Sequence, residues 1–188
     1  EMIEGVDIAP TNIKAGMDII VSGTLGDHAA TVMAARHNLT LPQGIMSDSA
    51  PLCHLTAAML AAAPSIAVLR DPTRGGVAAS LNELAEAAGV GILLDETAIP
   101  VHPAVQGVCD ILGFDPLTLA NEGKLLAFVP PEDTERVLAV MHADPHGRAA
   151  CVIGHTTAEA PGSVGLRTAL GGVRVVDLPL GELVPRIC

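Results

Sequence analysis

Apolar runs of strand length alternate with Ala-rich stretches of helical length along most of the chain, and glycines or prolines mark nearly every junction. Residues 18–23 (DIIVSG) are a short β-branched run ending in glycine, which predicts a buried strand. A helix is predicted over 27–37, entered through Gly26-Asp27 with Asp27 as cap or first-turn acid. The same reading gives helices over 52–63, stopping before Pro64, and 77–88, ended by Gly89. Two more cover 102–112, closed by Gly113, and 132–142, which cannot continue past Pro145. Strands are predicted at 66–70, 90–95, 124–129, 151–157, 164–167 and 173–177, the last two joined as a hairpin through Gly171-Gly172. Alternation that ends in an antiparallel pair predicts an α+β domain, a mixed β-sheet packed by helices, over residues 1–178. Residues 179–188 (PLGELVPRIC) carry two prolines and no periodicity, and read as an extended, mobile tail.

The core must be aliphatic. Hydrophobic residues make up 49%, yet Phe114 and Phe128 are the only aromatics. That removes the stacking platforms by which single-stranded nucleic acid is bound. A net charge of −11 opposes phosphate backbones and anionic membranes, so neither is an expected partner. The longest mostly apolar stretch, 52–63, contains His54 and Thr56 and is too short to span a bilayer. Cys53, Cys109, Cys151 and Cys188 form no C-x-x-C pair, and with no secretory signal they read as reduced thiols in a cytoplasmic protein. The first three sit in apolar or helical contexts and are expected in the core. The sequence opens at Glu1 in loop-like residues, and is read as a piece of something longer.

Generic motifs fail. Gly89-Val90-Gly91 precedes a strand and is no dinucleotide fingerprint, and Gly123-Lys124 lacks the Ser/Thr and earlier glycine of a P-loop. His142 and His146 are separated by Pro145, which breaks the helix that would align them on a metal. Three polar turns remain. Asp71-Pro72-Thr73-Arg74-Gly75-Gly76 joins a strand end to a helix start, where free N–H groups, Gly75, Gly76 and the Arg74 fork suit phosphate. Its plain reading is an Asp-Pro turn. Asn121-Glu122-Gly123-Lys124 offers a carboxylate and an amide, a base and an orienting group, or else a solvated β-turn. Residues 23–28 (GTLGDH) combine glycine turn, acid and His, as a ligand site or an ordinary cap.

Cys188 differs from the other thiols. It closes a Pro-containing segment, Arg186 can favour its thiolate, and 179–188 can reach about 30 Å when extended.

Together, residues 23–28, the 71–76 turn, Asn121–Lys124 and Pro185-Arg186-Ile187-Cys188 resemble the HypE family of nickel–iron hydrogenase maturation, within the aminoimidazole ribonucleotide synthetase-like superfamily. The first three motifs also resemble selenophosphate synthetase and thiamine monophosphate kinase; the final four residues single out HypE. The resemblance implies a C-terminal domain that follows an absent N-terminal domain holding most of the ATP and Mg²⁺ site. It implies carbamoyl loading of Cys188 by the carbamoyltransferase HypF, then ATP-dependent dehydration to a thiocyanate, with cyanide passing to a HypC–HypD iron scaffold. It also implies a homodimer at full length and an isolated domain without activity. Dehydration removes two N–H protons, with Glu122 as first candidate base and His142 as second. Asp71, Thr73, Arg74, Gly75, Gly76 and Asn121 are the expected nucleotide contacts. Another ATP-dependent enzyme of the superfamily, or a docking module for maturation partners, are the alternatives.

Overall fold

A computed structural model describes residues 6–38, 40 and 45–178. Cys188 and the expected tail lie outside the described residues. Seven strands form one mixed sheet: β1 (Asp18–Val21), β2 (Val68–Arg70), β3 (Gly91–Asp95), β4 (Leu126–Val129), β5 (Cys151–Thr157), β6 (Val164–Arg167) and β7 (Val173–Val175). Their order is β2-β4-β1-β5-β3-β6-β7. Every neighbouring pair is antiparallel except β3–β6, which is parallel. The helices are α1 (Asp27–Arg36), α2 (Cys53–Ala62), α3 (Gly76–Ala88), α4 (Pro103–Leu112) and α5 (Pro131–Ala143). The expected α+β class and mixed, helix-packed sheet are therefore present.

Both faces of the sheet are covered, which is why its central strands read as unbroken apolar runs. Side chains alternate across a strand. Ile19 and Val21 of β1, with Leu126 and Phe128 of β4, enter the larger core against Val77, Leu81 and Leu84 of α3. Ile20, Ala127 and Val129 point the other way, into a second core with Leu55 and Met59 of α2 and Val137 and Met141 of α5. Small residues of α1 (Ala29, Ala30, Ala34) meet Val105, Val108 and Cys109 of α4 in a third cluster.

Differences from the expected elements are short and have local causes. The strand expected at 66–70 begins at Val68, because the Ile66 N–H turns back to the Ala63 carbonyl at 3.2 Å. The strand expected at 124–129 begins at Leu126, and that expected at 173–177 ends at Val175. The 164–175 hairpin forms, closed by the Thr168 N–H on the Gly172 carbonyl at 2.7 Å.

Candidate functional site

Two of the three polar turns are brought together by strand pairing. Antiparallel registry places Val21 opposite Leu126, so the chain leaving β1 lies beside the chain entering β4. The Ser22 N–H donates to the Leu125 carbonyl and the Leu125 N–H to Ser22 Oγ, each at 3.0 Å. GTLGDH and Asn121–Lys124 thereby become neighbours. Gly23 lets the Lys124 stem cross its backbone, since a Cβ there would stand 3.2 Å from Lys124 Cε.

Lys124 is held between two carboxylates. Its Nζ lies 3.6 Å from Asp27 Oδ2 and 3.3 Å from Asp48 Oδ2. The Lys124 side chain is 13% exposed and that of Asp48 only 2%. Asp27 also accepts the Thr24 hydroxyl. Asp48 Oδ1 accepts the Glu122 N–H at 3.2 Å, whereas Oδ2 is buried and, among the described residues, has no hydrogen-bond partner besides its ion pair. Taken alone, the group carries two negative charges against one positive. Beside it opens a cleft of about 380 Å³, lined by residues 22–24, 47–50, 123–124, Pro145, His146, Arg148 and Ala149. Hydroxyls, one ammonium, one guanidinium and an imidazole thus face one space. His28 Nδ1 approaches Ser47 Oγ at 2.8 Å and braces the same segment.

Asn121 joins the third turn to the other two. It is buried, and its amide is fully engaged: Oδ1 accepts the Gly26 N–H at 2.8 Å, while Nδ2 donates to the Pro72 and Leu119 carbonyls at 3.1 and 3.0 Å. Glu122, next in sequence, has an exposed side chain.

The 71–76 turn presents its residues unequally. Asp71 and Arg74 are exposed and Thr73 and Gly75 half-buried. Gly76, at φ 62°, is packed under backbone: a Cβ would stand 2.5 Å from the Leu117 oxygen and 2.6 Å from that of Leu119. Its N–H donates to the Thr73 carbonyl at 2.9 Å. Gly76 therefore has a packing reason to be glycine, and its N–H is already engaged.

His142 does not join the cleft. Its Nε2 lies 2.8 Å from the Ala150 carbonyl, bracing the connection from α5 to β5. Cys53, expected in the core, is instead exposed, because α2 buries Leu55, Met59 and Leu60 on its other side. Cys109 is buried, and burial, then the charges of Asp110 and Asp115, push its thiol up to about 11. Cys151 is half-buried, its thiol also raised by burial. Among the described residues no group of three or more His, Cys, Asp or Glu is arranged to hold a metal ion, and no helix is long and apolar enough to cross a membrane.

Asp48 and Arg148 were missed by sequence reasoning, and His146 was weighed only as a metal partner of His142. The 45–50 segment (IMSDSA) has no periodicity and no motif; only its fold-back onto Asn121–Lys124 gives Asp48 a role.

The chain is 52% identical over 184 residues to the carbamoyl dehydratase HypE of Rhodobacter capsulatus, covering 98% of this chain and 54% of that protein. It spans about half the length of the curated relatives it matches. A crystal structure of the hydrogenase maturation protein HypE superposes with a TM-score of 0.92 at 41% identity, covering 96% of this chain and 58% of that one. HypE in complex with ATP gives 0.90 at 40% identity, covering 96% and 55%. HypE from a HypE–HypF complex gives 0.89 at 39%, covering 95% and 58%. Residues 14–167 match the model for the C-terminal domain of AIR synthase related proteins, and the chain belongs to that family, with HypE proteins as its relatives.

Proposed function

We propose that this chain supplies the C-terminal domain of an ATP-dependent carbamoyl dehydratase of nickel–iron hydrogenase maturation. The observation that supports this reading best is the placement of Glu122, exposed and next in sequence to Gly123 and Lys124 of the cleft lining, while its own N–H is tied to Asp48. The 52% identity to a carbamoyl dehydratase gives that carboxylate a reaction to serve.

In this reading the Cys188 sulfur carries a carbamoyl group, –S–C(=O)–NH₂, into the site. Bound ATP supplies the γ-phosphoryl group that turns the carbamoyl oxygen into a phosphate leaving group. Glu122 accepts an N–H proton as the C–N bond gains order. The second N–H proton passes to the departing phosphate, ADP and phosphate are released, and –S–C≡N remains on the sulfur. Arg74 and Thr73, exposed and half-buried at the entrance to α3, fit a role in orienting phosphate oxygens. Gly75 is half-buried beside them at φ 73°, whereas Gly76 is covered. Asp71 borders the same turn, and Asn121 holds it in place. In this proposal Mg²⁺ is held by acidic residues of an N-terminal domain, and the working protein is a cytoplasmic homodimer. HypF loads the sulfur, as the solved HypE–HypF complex suggests, and a HypC–HypD complex receives the cyanide.

The test uses full-length protein with carbamoyl phosphate, ATP and the carbamoyltransferase, followed by mass spectrometry of the C-terminal peptide. Wild type is expected to gain a carbamoyl adduct on Cys188 and then lose one water. Cys188→Ala should gain nothing, and Glu122→Gln should load and stall. Loading that survives Cys188→Ala overturns the carrier assignment.

A further inference from the structure

We infer that Asp48 is a positioning residue for Glu122, a role that rests on the proposed part of Glu122 in dehydration. Three observations converge on this residue, two at its carboxylate and one at its backbone. Oδ1 accepts the Glu122 backbone N–H at 3.2 Å, across 74 residues of sequence. Oδ2 pairs with Lys124 Nζ at 3.3 Å, two residues beyond Glu122. Between them, Gly123 packs so closely that a Cβ would overlap the Asp48 carbonyl oxygen. One aspartate therefore grips the turn before, beneath and after Glu122's peptide.

Stability alone is a poor explanation for this arrangement. A buried ion pair gains little net stability, because desolvating both charges offsets their attraction, and an apolar clamp of similar volume would hold the turn at least as well. Hydrogen bonds to a fixed carboxylate offer direction instead, setting the plane of the peptide from which the Glu122 side chain departs. Rate depends steeply on that kind of placement, since a reacting group misplaced by about 1 Å can cost on the order of a hundredfold. Among the described residues Asp48 Oδ2 is buried with no hydrogen-bond donor of its own, and Lys124 is the cation that compensates it. Lys124 is in turn steadied by Asp27 at the start of α1. The 23–28 turn and the 47–50 segment thus both set where Glu122 stands.

The experiment measures single-turnover dehydration in full-length protein already carbamoylated on Cys188. Four variants are compared with wild type: Asp48→Ala, Asp48→Asn, Glu122→Gln and the Asp48→Ala/Glu122→Gln pair. Asp48→Ala should load normally but dehydrate about tenfold or more slowly. Asp48→Asn, which keeps an acceptor oxygen for the Glu122 N–H, should recover part of that loss and covers the case in which the alanine variant fails to fold. In the Glu122→Gln background, Asp48→Ala should cost nothing further, because residues that act through one group are not additive. A merely structural Asp48 would slow both backgrounds equally, and that result overturns the inference. So does wild-type dehydration by a folded Asp48→Ala. Normal dehydration by Glu122→Gln is a separate result that removes the role of Glu122 itself.

Discussion

Asn121 Oδ1 accepts the N–H of Gly26 at 2.8 Å across 95 residues of sequence, which places the start of α1 beside the turn that carries Glu122. The same amide donates to the Pro72 and Leu119 carbonyls, so a single buried side chain sets the spacing of three loops. Asn121→Ala strands the Gly26 donor and the Leu119 acceptor, whereas the Pro72 carbonyl keeps the backbone N–H of residue 121 at 3.1 Å. Each unsatisfied buried group costs about 1–3 kcal/mol, and the urea midpoint should fall accordingly. Asn121→Asp should be worse, since a carboxylate oxygen would face two carbonyl oxygens. A midpoint unchanged in both variants would show that the amide does not hold these loops.

Lys124 lies between Asp27 and Asp48, and removing it leaves two largely buried carboxylates without their cation. Lys124→Ala should destabilise by about 3–5 kcal/mol, the usual consequence of breaking one partner out of a buried pair. Adding Asp48→Asn to that variant should restore part of the loss. Thermal and urea denaturation of the four proteins in this cycle measures the coupling, and strict additivity would argue against a buried ion pair.

Two glycines should respond oppositely to alanine. Gly123 has no room, because the Asp48 backbone occupies the space of a Cβ, and Gly123→Ala should displace the 47–50 segment and destabilise by about 1–3 kcal/mol. Gly107 lies inside α4 with open space around it. Gly107→Ala should stabilise by about 0.5–1 kcal/mol through helix propensity. Equal responses at the two positions would contradict the packing described.

The thiols should alkylate in an order set by exposure and ionisation. Cys53 is exposed, whereas the Cys109 thiol is buried and raised to about 11. A raised thiol pKa means less thiolate at a given pH, and thiolate is the reactive form. With iodoacetamide near pH 8, among the three thiols of the described residues Cys53 should label first, Cys151 more slowly, and Cys109 only on unfolding. Peptide mapping against time reads this order, and early labelling of Cys109 would refute its burial.

Strands and helices were legible because their side-chain periods differ and glycine or proline closes them; β5 and β6 occupy the residues expected, and every helix falls within one or two. The parallel β3–β6 pairing was not legible, since pairing direction leaves no local trace in two short apolar runs. At the site, Glu122 and Lys124 stood out as charges in a glycine turn, but Asp48 sits in a segment without pattern, and its carboxylate matters only through contacts 74 and more residues away. Gly76 stood out in the sequence as a glycine suited to phosphate approach; its packing against the carbonyls of Leu117 and Leu119 was not legible. His142 looked available because its partner, the Ala150 carbonyl, is a backbone atom that no side-chain pattern announces.

The central position of β1 bears on how the chain is made. β1 is the first strand in sequence, yet its two sheet neighbours are β4 and β5, the fourth and fifth. During synthesis, Ile19, Ile20 and Val21 therefore leave the ribosome long before Leu126–Val129 exists to pair with them. Pairings this distant in sequence slow folding and leave apolar surface open to association in the meantime. The nascent chain should thus depend on chaperones that shield the 18–21 segment, and translation pauses placed before β4 should lower soluble yield more than pauses placed after β5.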